Sequence, residues 1–231
     1  MLAETMKKHL SHQQLSSVRH WYHRLRSISC PSIPYLHACL YHLHKQISAL
    51  FHAALQRGYY TPLFLSQIKA KPKQLYLYSG MPLLCGKLQI QLGEGCRISG
   101  ITTFSGRSSS TNPQLIIGNN VGISWQTTIA VGNKVILDDN VRLAGKVFIA
   151  GYPGHPIDPA RRANGDPDDE NQVGDVHLER NVWVGTGATL MGGVSIGENS
   201  IVAAGSVVTR SMPANVLIGG NPAIVIKQLE Y

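Results

Sequence analysis

The stretch LERNVW-VGTGAT-LMGGVS-IGENSI-VAAGSV-VTR, residues 178–210, returns an aliphatic side chain every six positions: Leu178, Val184, Leu190, Ile196, Val202 and Val208. Four positions after each of the first five stands a small or β-branched residue: Val182, Ala188, Val194, Ser200 and Ser206. A period of six fits neither the amphipathic helix nor the two-residue alternation of a strand. Fixed self-similarity on so short a unit marks a β-solenoid, in which each unit sends one aliphatic side chain inward and then turns a corner. The same beat occurs upstream at Leu92, Ile98 and Phe104, and at Ile117, Ile123, Ile129 and Val135; shifted by two residues, it continues at Leu137, Leu143 and Ile149. The corners are supplied by Gly118-Asn119-Asn120, Asp138-Asp139-Asn140 and Gly197-Glu198-Asn199. Glycine and asparagine accept positive φ at little cost, so the chain can turn sharply there.

Outward from the repeat, the composition splits the chain in two. Residues 1–86 carry ten Lys/Arg against a single acid, Glu4, whereas residues 87–231 carry eleven against twelve, so the net charge of +8 sits in the first part. Eight of the ten histidines also precede residue 53. The expected domains are therefore a basic, His-rich helical region, 1–86, and a repeat domain, 87–231, interrupted by a loop insertion at 150–177. No run of about 18 apolar residues occurs, which argues against a membrane-spanning helix. The opening Met1-Leu2-Ala3-Glu4-Thr5 lacks the basic-then-apolar layout of a secretory signal. Cys30, Cys39, Cys85 and Cys96 show no CxxC spacing, which favours reduced structural thiols. Together these features point to a cytoplasmic location.

In the first region, Leu2, Met6, Leu10, Val18, Trp21, Leu25 and Ile28 predict a helix over 2–28, broken by Cys30-Pro31 and Pro34. A second helix is predicted from about Leu36 to Gln56, with Leu36, Leu40, Leu43 and Ile47 on its apolar stripe and Gly58 as its stop. Tyr59–Ser79 reads as a connector bearing Lys69, Lys71 and Lys73. Two readings stand for this region: a helical cap over the exposed edge of the first coil, or peripheral association with an anionic membrane through residues 1–73. Nucleic acid is not expected, because no stacking aromatics interleave the basic residues.

The beat stops after Ile149 and resumes at Leu178, and the interruption contains Gly154-His155-Pro156, then Asp158, Arg161, Arg162 and an acidic tract, Asp166 to Asp175. Insertions in repeat proteins map to one face and often carry function. His155 and His177 are the two histidines of the repeat domain; His177 alternates outward and reads as surface, as do Trp125 and Trp183. For Asp158, Arg161 and Arg162, solvation of the loop and contact with a ligand both remain open.

The hexads, Gly154-His155-Pro156, the Val182-Trp183-Val184-Gly185 run and the Ala203-Ala204-Gly205-Ser206-Val207-Val208-Thr209-Arg210 run together resemble the hexapeptide-repeat acyltransferases, in the galactoside, maltose and xenobiotic acetyltransferase branch. The resemblance covers roughly residues 88–227. It implies a mainly β fold, a left-handed parallel β-helix; at three hexads per coil, the sixteen hexads give about five coils. It also implies acetyl-CoA as co-substrate, no metal, and a homotrimer with active sites between subunits. His155 would be the general base, with Asp158 or a backbone carbonyl orienting it. Trp183 would line the acyl-pantetheine channel, Gly185, Thr186, Ala204 and Thr209 would contact the cofactor, and Arg210 and Lys227 would meet its phosphates. The family's active-site asparagine falls near Ser124, with Gln126 the nearest amide; these two, with Asp158 and Arg161, are the substrate candidates. The implied reaction is O-acetylation of a sugar or surface-glycan precursor. A xenobiotic acceptor or a non-catalytic scaffold are the alternatives. Zinc enzymes built on the same solenoid need three converging histidines, more than this repeat domain supplies.

Overall fold

The computed structural model describes residues 12–69 and 72–230, with side chains from residue 16 onward. Leu2, Met6 and Leu10 of the expected first helix, and Lys71, lie outside the described residues. The chain forms two compact units, 1–49 and 50–231.

The first unit holds α1 (His12–Ser27) and most of α2 (Pro34–Leu55). Pro34 does not precede the second helix but begins it, where its missing N–H costs nothing. Leu36, Leu40, Leu43 and Ile47 are all exposed. Among the described residues no helix is long and apolar enough to cross a membrane. Gly58 does not stop α2. The chain passes through one π-helical turn (Gln56–Tyr60) into α3 (Thr61–Ser66), with Pro62 tolerated in the first turn. The Gln56 amide donates to Gly80 O (2.9 Å) and accepts from Gly80 N (3.0 Å). Phe64 and Ile68 are buried in the core of the second unit, so residues 56–68 cap the solenoid.

The solenoid has three parallel sheets. The first contains β1 (Leu75–Tyr78), β4 (Cys96–Ser99), β7 (Gly122–Ile123), β10 (Arg142–Leu143), β13 (Trp183–Val184), β16 (Ile201–Val202) and β18 (Val216–Gly220). The second contains β2 (Leu83–Cys85), β5 (Thr103–Gly106), β8 (Thr128–Val131), β11 (Phe148–Ala150), β14 (Thr189–Met191) and β17 (Val207–Val208). The third contains β3 (Gln89–Leu92), β6 (Gln114–Ile117), β9 (Lys134–Leu137), β12 (Val176–Leu178) and β15 (Ser195–Ile196), and closes with a bridge from Ile196 to Met212. The strands make about six turns, one more than the count of hexads gives, because the turn beginning at Leu75 lacks the six-residue beat. The antiparallel β19 (Ala223–Gln228) folds back on β18 and ends the stack.

Each sheet sends aliphatics inward in registered rows. In the first, Leu77, Ile98, Ile123, Leu143, Val184, Val202 and Ile218 lie in register and are all buried. The phase shift lies at the corner between the second and third sheets. Ile129 of β8 and Leu137 of β9, both buried, are eight positions apart, two more than a hexad allows.

One corner carries an asparagine ladder. Asn120, Asn140, Asn181, Asn199 and Asn215 all have φ between 54° and 63°. Each of the first four donates its side-chain Nδ2 to the Oδ1 of the next, at 2.8 to 3.0 Å. The residue type therefore serves twice, tolerating the left-handed turn and tying each coil to its neighbour. Asn181→Ala is expected to cost about 2 kcal/mol and Asn181→Gly about 1 kcal/mol, since glycine relieves the φ penalty but breaks the ladder. Denaturant titration of the two variants checks the difference.

Candidate active site

The insertion leaves the second sheet after Ala150 and rejoins the third at Val176. Its two ends touch: Gly174 N donates to Gly151 O at 3.0 Å. Neither glycine has room for a side chain, as a Cβ on Gly151 would lie 2.7 Å from Ala130 O.

A buried arginine ties the loop to the coils. Arg107, just after β5, is 3% exposed. Its Nε donates to Asp168 Oδ1 at 2.7 Å, its Nη2 to Asp168 O at 2.9 Å, and its Nη1 to Glu170 Oε2 at 2.5 Å. Bonds from Arg107 and Asn133 hold the Glu170 carboxyl below its ordinary range. The other oxygen of Asp168 accepts from Gly154 N at 3.1 Å. The carbonyls of Pro156 and Ile157 accept from Arg162 Nη1 at 3.0 and 2.9 Å. Main-chain anchors therefore bracket His155, whose side chain is exposed; among the described residues no hydrogen bond engages its ring.

Asp158 does not orient that ring. Its Oδ1 caps the short helix α4 (Pro159–Ala163), accepting from Ala160 N (2.8 Å) and Arg161 N (2.9 Å). Arg161 is taken up by Asp169 (2.6 Å) and Asp166 (3.4 Å). Both side chains thus have local partners that hold the loop in shape.

The remaining candidates fall in three places. Ser124 and Trp183 share an open groove of about 390 Å³ on the outer face of the first sheet. At the adjoining corner, Gln126, with φ of 57°, is exposed beside Trp125. Two turns further along, Gly185, Thr186 and Ala204 adjoin: Gly205 N bonds Thr186 O at 2.9 Å, and a Cβ on Gly185 would lie 2.6 Å from Ala204 N. Trp183 also begins a row that runs through Ile201 and Leu217 to Lys227. Thr209 and Arg210 are exposed at another corner, after β17 of the second sheet. His177 sits on the third sheet with Nε2 3.0 Å from Asp138 Oδ2. Within one chain, then, His155 and Trp183 leave different sheets. Sequence reading missed Arg107; its one usable signal was an acidic tract that needed a cation from the coils.

The family described as bacterial transferase hexapeptide (six repeats) matches residues 175–210, the last two turns of the repeat. A relative in Saccharomyces cerevisiae is 42% identical over 115 residues, 50% of this chain and 56% of that protein. The galactoside O-acetyltransferases of Lactococcus lactis and Escherichia coli are 31% and 35% identical over 63% and 49% of this chain, and 66% and 53% of their own lengths. The chain thus spans between about half and two thirds of these relatives. In fold it is similar to AntD, an N-acyltransferase from Bacillus cereus solved with dTDP and 3-hydroxybutyryl-CoA, at TM-score 0.58 and 18% identity over 74% of this chain and 88% of that one.

Proposed function

We propose that the protein transfers acetyl from acetyl-CoA to a hydroxyl of a sugar or surface-glycan precursor, with His155 as general base. One observation carries the reading: His155 stands in a loop whose backbone is tethered on both sides while its ring makes no hydrogen bond among the described residues. The likeness to galactoside O-acetyltransferases supports the reaction class. An alcohol attacks a thioester slowly unless its proton leaves as the new bond forms, and an imidazole that titrates near neutrality suits that task. In this scheme the His155 ring takes the hydroxyl proton while the oxygen bonds the acetyl carbonyl carbon. The tetrahedral intermediate then collapses, the C–S bond breaks, and the sulfur leaves with the proton that the ring returns.

For the donor, the small residues Gly185 and Ala204 leave backbone edges open to an extended pantetheine chain, beside Thr186 and the Trp183 ring. Arg210, Lys227 and Thr209 are exposed at the same end of the solenoid and suit phosphates. His155 and the donor corner arise on different sheets, so a site built from both draws on neighbouring subunits; a homotrimer meets that need. Exposed Leu83, Phe148 and Met191 along the second sheet, with Ile101 and Trp125 at its corner, supply an apolar contact face for such an assembly.

The test is calorimetric titration with acetyl-CoA, with free CoA alongside. Micromolar binding, one per subunit, is expected; no binding to the folded protein would remove the reading. Arg210→Ala is expected to weaken acetyl-CoA affinity about tenfold with little change in the chemical step, read as KM against kcat.

A further inference from the structure

The outer face of the first sheet carries a row of side chains, one per strand: Arg97 on β4, Gly122 on β7, Arg142 on β10 and Trp183 on β13. Gly122 has no side chain, and the Arg142 side chain lies back over it, so Arg97 and Arg142 both line one groove on this face. A Cβ on Gly122 would lie 3.1 Å from Arg142 Cδ and 3.7 Å from its Nε, so a side chain there would displace the arginine. Tyr78 and Ser124 complete the groove, and no carboxylate lines it.

The positive charge is not neutralised there. Among the described residues Arg97 has no ion pair or hydrogen bond from its side chain. Arg142 Nη1 donates only to main-chain oxygens, those of Asn120 and Val141. Burial and then the nearby Arg97 charge push the Arg142 guanidinium below its ordinary value, as two facing cations without a counter-ion should. Two arginines without a carboxylate partner in one open groove, which Tyr78 and Trp183 also line, form a receptor for a planar or tetrahedral oxyanion on a ring-shaped molecule.

Resting on the acyltransferase reading above, we propose that the acceptor is an anionic sugar whose phosphate or carboxylate enters this groove and pairs with Arg97 and Arg142. The donor's phosphates are served elsewhere: Lys227 lies beyond Trp183 in the opposite direction along the row, and Arg210 at another corner.

The test is calorimetric titration of the full chain, saturated with free CoA, with glucose 1-phosphate, glucuronate and methyl glucoside. At least one anionic sugar is expected to bind about tenfold or more tighter than methyl glucoside. Which of the two binds tighter identifies phosphate or carboxylate as the group. Arg97→Gln should abolish the preference and Arg97→Lys should keep part of it. Arg97 is exposed and holds nothing else in place, so both variants should melt with the parent. Three sugars binding alike, or a preference that survives Arg97→Gln, would overturn the proposal. So would a loss of CoA affinity in Arg97→Gln, which would assign the arginines to the donor. Failure of acetyl-CoA to bind the parent would instead remove the acyltransferase reading, and is seen separately in the same samples.

Discussion

His155→Ala should lower turnover by about 10²–10⁴-fold, the range that a positioned general base contributes, while acetyl-CoA binds as before. Thiol release measures the first quantity and calorimetry the second. The split follows from geometry: the tethers that shape the loop reach the main chain at Gly154, Pro156 and Ile157 and leave the ring out, so its removal should not unfold the loop. His177→Ala is the matched control. That ring lies on the third sheet beside Asp138, so its loss should leave turnover within about twofold, as for a surface substitution. Equal activity in the His155 and His177 variants would remove His155 as the base.

Arg107→Met should destabilise the protein by about 3–5 kcal/mol, because it strands the buried carboxylate of Asp168 without its cation. Denaturant unfolding measures this. Replacing both partners, as Arg107→Met with Asp168→Leu, should recover most of the stability, since an apolar pair of similar volume often serves as well as an ion pair. Turnover should not recover, because the second change also removes the acceptor for Gly154 N and frees the segment that carries His155. A double variant restored in both respects would show that the tether shapes nothing catalytic. Glu170 adds a pH signature. Its carboxyl titrates below the ordinary range, so its contribution to the tether is complete above that range and is lost as pH falls through the lowered value. The loop should therefore loosen in acid and stay held at neutrality.

The solenoid was legible because its repeat is local. Each hexad states its own inward residue, and Val184, Leu190 and Ile196 land on consecutive sheets of one turn as the beat requires. The beat slipped where a corner holds two extra residues, as between Ile129 and Leu137. It gave no sign of the first turn, where Leu77 and Ile98 are paired across 21 positions of sequence. Gly58 misled for a related reason. Propensity reads it as a helix end, but the Gln56 amide and buried Phe64 carry the chain onward, and tertiary packing outweighs a cost of about 1 kcal/mol. For the candidate site, short motifs singled out His155, which the structure places on the insertion, and Trp183, on the outer face of the first sheet. They could not reveal Arg107, whose partners Asp168 and Glu170 are more than sixty residues away. Nor could they show that Asp158 is spent on capping a helix, a use that depends on backbone angles set by the fold.

The bond between Gly151 and Gly174 has a consequence for how this protein can diverge. Because the insertion's ends are already joined, the coil beneath passes from Ala150 to Val176 as though nothing intervened. Lengthening a loop whose ends stay fixed adds only about 0.6 kcal/mol per doubling. The segment between the two glycines is therefore an exchangeable cassette, provided that it keeps an acid for the buried Arg107. A different length or sequence grafted between them under that condition should present a new surface without altering the register of the sheets below.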